Sequence, residues 1–250
     1  MMRDLKMTTG GQFSRRSLLA GAGAIGAGLV LAPMKLMLPD EAEAAGLGAG
    51  ATESVQDILD ILATNEAFGV TLVATILDSA KHGAYTSPIP QKVLRILHGV
   101  RAEEQLHLDF LLRAGGKLRT HTFYLADPKL LTDPQTLFMD LVELEDAAIA
   151  AVMASIPTFT RARRFDLVKK NFQFATEESE HRLLANKALG TSPPNDQAFA
   201  PAMYQTVSEF YATLKKKGII GGPGKQITYP GPAAIDYQNV IYRTPRGPSA

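Results

Sequence analysis

Between Ser54 and Leu189 apolar residues recur every three to four positions in four long stretches separated by Pro- or Gly-bearing breaks, a periodicity that predicts four helices. The first begins at Ser54, with Asp57 three residues on as in a capping box, and runs to Asp78 with Leu59, Leu62, Glu66, Val70 and Val73 along one stripe. After Ser87-Pro88-Ile89-Pro90 a second runs to about Arg113, placing Leu97, Val100, Glu104, His107, Leu108 and Leu111 on one side. Gly115-Gly116 ends it, and about twenty residues without period follow, a length that suits a crossover along a bundle better than a hairpin turn. The third helix is expected from Pro134 to Ala154, with Ile156-Pro157 closing it, and the fourth from Arg161 to Leu189, stopped by Gly190. Beyond Pro193-Pro194 a fifth amphipathic stretch spans Pro201 to Lys217. From Gly221 the Gly-, Pro- and Tyr-rich tail has no helical period and reads as loop, or as chain ordered only by packing along the domain.

Each apolar face carries charged residues in a repeated arrangement. Glu104-Gln105-Leu106-His107 and Glu178-Ser179-Glu180-His181 are two Glu-x-x-His units 74 positions apart, in a chain with twelve Glu and five His. Chance placement gives about one such unit in four chains. Residues three apart in a helix share a face, so a carboxylate and an imidazole there can reach one metal ion. Each unit follows a helix with one Glu in its apolar stripe. Glu66 fills that place in the first; in the third, Glu145 shares its stripe with Phe138, Leu141, Val142, Ile149 and Val152, whereas Glu143 lies among Met139, Asp140 and Asp146. The candidate metal ligands are therefore Glu66, Glu104, His107, Glu145, Glu178 and His181, with Glu177 as a fallback four residues before His181. Glu66 to Glu104 spans 38 positions and Glu145 to Glu178 spans 33, so the chain reads as two similar hairpins joined by the crossover. His82 suits a helix C-terminus, and His98 and His121 have no Glu at ligand spacing, so these three read as structural or surface residues.

Composition narrows the chemistry. The chain has 250 residues, 46% hydrophobic, and a formal charge of +1, with basic residues only in short runs, which argues against nucleic acid as a partner. No Cys is present, so a metal would be held by oxygen and imidazole nitrogen alone. Residues 1–44 differ from the rest: Ser14-Arg15-Arg16-Ser17-Leu18-Leu19 opens an Ala/Gly-rich apolar run, and Ala42-Glu43-Ala44 offers a small-x-small cleavage site. The string is similar to a twin-arginine export signal. The run from Leu18 to Met34 is also nearly long enough to stay as a membrane anchor if uncleaved.

The order Glu66, Glu104-x-x-His107, Leu144-Glu145-Asp146, Glu177-Glu178-x-x-His181 resembles the ferritin-like superfamily, and within it the exported proteins related to desiccation-associated proteins. The resemblance covers residues 54–190. It implies an all-α fold, a ferritin-like four-helix bundle with a long crossover between helices two and three, followed in residues 191–250 by a C-terminal helix and extended tail. It further implies two metal ions, iron and/or manganese, held by the six residues above, with Glu104 and Glu178 as the bridging carboxylates. Small oxidants, ferrous iron or a second copy of the chain are the implied partners, and export by the twin-arginine route to the periplasm or beyond the implied location. Val152 departs from the pattern, since related chains often carry Tyr there. Two functions stay open: a dimetal oxidoreductase of ferroxidase or catalase-like type, and a noncatalytic stress-associated bundle acting through binding or assembly.

Overall fold

Ser54 starts the first helix as its sequence suggests: its hydroxyl accepts a hydrogen bond from the Asp57 amide at 3.0 Å and donates to the Asp57 carboxylate at 2.6 Å. The computed structural model describes residues 53–235, so the segment expected to be an export signal and the last fifteen residues lie outside it. Four long helices follow one another, α1 (Val55–Lys81), α2 (Gln91–Arg113), α3 (Pro134–Arg161) and α4 (Phe165–Leu189), and a short α5 (Val207–Lys216) comes after them. The chain is mostly helical, as expected of an all-α fold.

The long helices pack as two antiparallel hairpins over one core. The amide of Gln56 at the start of α1 donates to the Gly115 carbonyl just past the end of α2. Asn171 near the start of α4 donates to the Val152 carbonyl and the Ser155 hydroxyl near the end of α3. Gly116 allows the first of these contacts, because a Cβ there would sit 2.9 Å from the Leu59 carbonyl oxygen. Among the described residues α1 alone is long and apolar enough to cross a membrane, yet most of that stretch is buried against the other helices, as in a core helix.

Three expectations are corrected. Helix α3 does not end at Ala154 but runs through Pro157 to Arg161, and α4 therefore starts at Phe165 instead of Arg161. Carrying the helix past Pro157 places Phe159 in the core with no exposed surface, which compensates the hydrogen bond a proline removes. Helix α5 starts at Val207 instead of Pro201, because Thr206 caps it and the Glu53 carboxylate accepts the amides of Val207 and Ser208. Finally, neither the crossover nor the tail is wholly loop. Strand β1 (Thr122–Leu125) in the crossover pairs antiparallel with β2 (Lys225–Thr228) in the tail, Phe123 opposite Ile227. Both of those side chains enter the core, and the Phe123 ring packs 5.4 Å from Phe68. Beyond the ribbon the Tyr229 hydroxyl donates to fully buried Gln105 at 2.6 Å, tying the tail to α2 beside the first Glu-x-x-His.

Candidate metal centre

Each long helix delivers one or two polar side chains into the core at the same level, because each lies in the apolar stripe that its helix buries. Glu66 comes from α1, Glu104 and His107 from α2, Glu145 from α3, and Glu178 and His181 from α4. Glu66 and Glu178 are each only 2% exposed. The structure brings all six residues singled out by spacing into one cluster.

Within it, donor atoms form two overlapping groups, Glu66, Glu104, His107 and Glu178, and Glu104, Glu145, Glu178 and His181, each with its atoms within 4.8 Å of one another. Glu104 and Glu178 belong to both. The two oxygens of Glu178 divide between the groups: Oε1 lies 3.4 Å from His107 Nδ1 and Oε2 lies 3.3 Å from His181 Nδ1. His107 Nδ1 is 3.3 Å from Glu66, and His181 Nδ1 is 3.2 Å from Glu104 and 3.8 Å from Glu145. Such a buried group of carboxylates and imidazoles could hold a metal ion.

Four carboxylates this close repel one another and are stripped of water. Burial, reinforced by the Glu104 and Glu178 charges, pushes the Glu66 carboxyl up to about 8. Burial and the Glu178 charge raise Glu145 well above the carboxylate range. Burial also raises Glu178, but the His107 and His181 imidazoles against its two oxygens outweigh it and hold that carboxyl well below its ordinary value. Burial would lower both imidazoles; instead close contact with the Glu178 and Glu66 carboxylates lifts His107 to about 10, and contact with Glu103, Glu104 and Glu178 lifts His181 well above its ordinary range. The metal-free cluster thus collects protons to offset its negative charge.

Two observations bear on whether a cation fits. Glu66 Oε2 and His107 Nδ1 are buried and face each other, yet neither makes a hydrogen bond of acceptable geometry, which is costly unless something else takes both lone pairs. Gly69, one turn beyond Glu66 on α1, makes room for Glu104: a Cβ there would overlap Glu104 Oε2 and lie 2.9 Å from its Cδ. The donor set suits hard or borderline cations such as iron and manganese.

Other side chains hold the cluster in shape. The Glu103 carboxylate lies 3.1 Å from His181 Nε2, placed to accept a hydrogen bond from that nitrogen, while Nδ1 turns to the cluster. That bond also holds the Glu103 carboxyl below its ordinary value. Spacing in the apolar stripes does not single out Glu103; its usable signal is the Glu103-Glu104 pair, which repeats as Glu177-Glu178. Beside His181, buried Arg182 pairs with Asp146 and Asp196, both at 2.7 Å. Phe174 covers the His107 ring at 4.4 Å between centroids. Glu143 lies outside on Lys217 at 3.0 Å, and half-buried Glu177 is in neither group. Of the other histidines, His82 caps α1 and His121 stacks on Tyr229. A cavity of about 300 Å³ reaches Glu104, Glu145, Glu178 and His181 from one side.

No family model matches the chain, and no curated protein or solved structure matches it either.

Proposed function

We propose that this protein is a ferritin-like dimetal protein of the cell envelope, in which two iron or manganese ions share the buried cluster. Glu66 and His107 would hold one ion, Glu145 and His181 the other, and Glu104 and Glu178 would bridge them. The observation that carries this reading is the overlap of the two donor groups through Glu104 and Glu178. Charge supports it: four carboxylates balance two divalent cations, whereas the metal-free cluster must be neutralised by protons. The resemblance in the ligand order and the twin-arginine-type segment support export, a route that carries proteins already folded around their metals.

When bound, such a metal pair supplies electron exchange with oxygen, peroxide or ferrous iron. The chain's own part is to fix the ligands and exclude bulk water. Glu103 orients His181, Gly69 admits the Glu104 carboxylate, and Phe174 closes the His107 side. Helices α1 to α4 hold the carboxylates at fixed separation in the core, so little reorganisation accompanies a change of charge there.

Elemental analysis of protein purified from its native compartment tests the reading, beside Glu104→Ala and His181→Ala variants. Two metals per chain are expected, with clear loss in both variants. Less than one metal per chain, unchanged by either substitution, would refute the site.

A further inference from the structure

The cavity beside the cluster has a shape, a lining and a charge distribution of its own. On α2 its lining runs from Glu104 back to Lys92, and on α4 from Glu178 forward to Ala188. At 1.5 Å per residue these walls are about 18 Å and about 15 Å long, so the space runs along the helices. A volume of about 300 Å³ spread over that length makes the space elongated, a shape that suits an extended chain. Between its ends the walls are apolar, including Phe68, Leu72, Leu97, Val100, Leu141 and Leu184. An apolar void of this kind is poorly filled by water. The charged side chains lining it separate into two sets: Glu104, Glu145, Glu178 and His181 at the buried end, and Lys92 and Lys187, both exposed, at the other.

We propose that this cavity binds an unbranched amphiphile with an anionic head, its alkyl chain lying between the helices, its head at Lys92 and Lys187 and its far end at the carboxylate-imidazole cluster. A cavity of about 300 Å³ has room for roughly ten or more chain atoms. The pocket gives the proposed dimetal centre a substrate class, and it rests on that reading only for what the inner end of the chain meets. The exposed lysines at the outer end attract an anionic head and leave it hydrated, whereas at the buried inner end it would lose its water. Neutral apolar molecules would lack the second contact.

Calorimetric titration of the full chain with decanoate, decanol and decylamine tests the proposal, with metal content and thermal melting recorded on the same samples. Decanoate should bind once per chain and decylamine more weakly. The surface variant Lys92→Glu/Lys187→Glu should weaken decanoate about tenfold and reverse the preference for the amine. Ala188→Phe, placed in the lining away from the cluster, should abolish decanoate binding while metal content stays unchanged. Absence of decanoate binding in metal-loaded, folded protein would overturn the pocket and leave the metal centre standing. Binding unaffected by both variants would also overturn it, since the carboxylate would then be held elsewhere. Decanoate binding in protein that carries no metal would uphold the pocket and remove the metal reading.

Discussion

Replacing Gly69 with Ala sets two effects against each other. In the middle of a helix Ala is favoured over Gly by about 0.5 to 1 kcal/mol, so propensity alone predicts a more stable protein. The new methyl, however, would overlap Glu104 Oε2 and approach its Cδ to 2.9 Å. That obstacle is the end of a flexible side chain, so the carboxylate can swing aside at a cost comparable to the propensity gain. Without metal, stability should change by less than about 1 kcal/mol, within about 4 °C in Tm for a chain of this size. The displaced group is one of the two shared by both donor groups, and it leaves His181 Nδ1, now 3.2 Å away. A hundredfold loss of metal affinity removes about 2.7 kcal/mol of metal-linked stability, or roughly 5 to 10 °C. Differential scanning calorimetry with and without chelator separates the two terms, and elemental analysis follows the metal directly. Glu104→Asp added to Gly69→Ala shortens the crowded side chain and should restore part of the metal. Full metal content and an undiminished metal-dependent shift in Gly69→Ala would refute the argument, as would a large loss of stability in the metal-free form.

Three other outcomes are expected. Glu145→Gln should lower metal content toward one ion per chain, while Glu143→Gln, on an exposed side chain paired with Lys217, should leave it unchanged; equal effects would show the wrong acid was chosen. Glu103→Gln removes the charged acceptor from His181 Nε2 and should cost about 10- to 100-fold in metal affinity with little change in metal-free Tm, measured by competition with a chelator. The metal-free protein should lose stability as pH rises. Glu66, ordinarily at 4.5, titrates near 8 in the folded chain, and His107, ordinarily at 6.5, near 10, so between about 4.5 and 10 the folded state holds protons the unfolded chain has released. Metal binding needs those groups deprotonated, so the gain in Tm on adding metal should grow over the same range. A metal-free Tm that is flat or rising from pH 5 to 8 would contradict this.

The parts of this molecule that sequence made legible are those set by helical period. Four stripes of apolar residues located four helices, and the same stripes separated Glu145 from Glu143, because two residues along a helix turn the side chain through about 200°, from solvent to core. Features that depend on distant or opposing terms were not legible. Strands β1 and β2 are four residues each and pair across about a hundred positions, so neither has a local signature longer than a turn. Pro157 signals a helix end, but the burial of Phe159 outweighs it. Glu103 lies at the edge of the α2 stripe and acts on a residue 78 positions away. Gly69 reads as a weak helix residue until the neighbouring carboxylate is seen against it. The cavity is a property of how four faces diverge, which no single face records.

The near-repeat of the two hairpins suggests equivalent halves, and the packing around them breaks that equivalence. Phe174 lies against His107, and the Phe110 ring meets Phe174 edge-on at 5.7 Å, so aromatic side chains close that side. On the other side the cavity reaches Glu145 and His181, together with Glu104 and Glu178. Neither Glu66 nor His107 lines it. In the proposed dimetal centre the two positions would therefore differ in access to the cavity: the Glu66/His107 position lies off it, beside the rings, and the Glu145/His181 position faces it, with its imidazole braced by Glu103. A fully protein-ligated position off the cavity favours retention of its ion, and a position open to a pocket favours exchange of a ligand. The asymmetry arises from residues outside the repeated Glu-x-x-His frame, principally Phe110, Phe174 and Glu103, which is why two like motifs would support unlike roles.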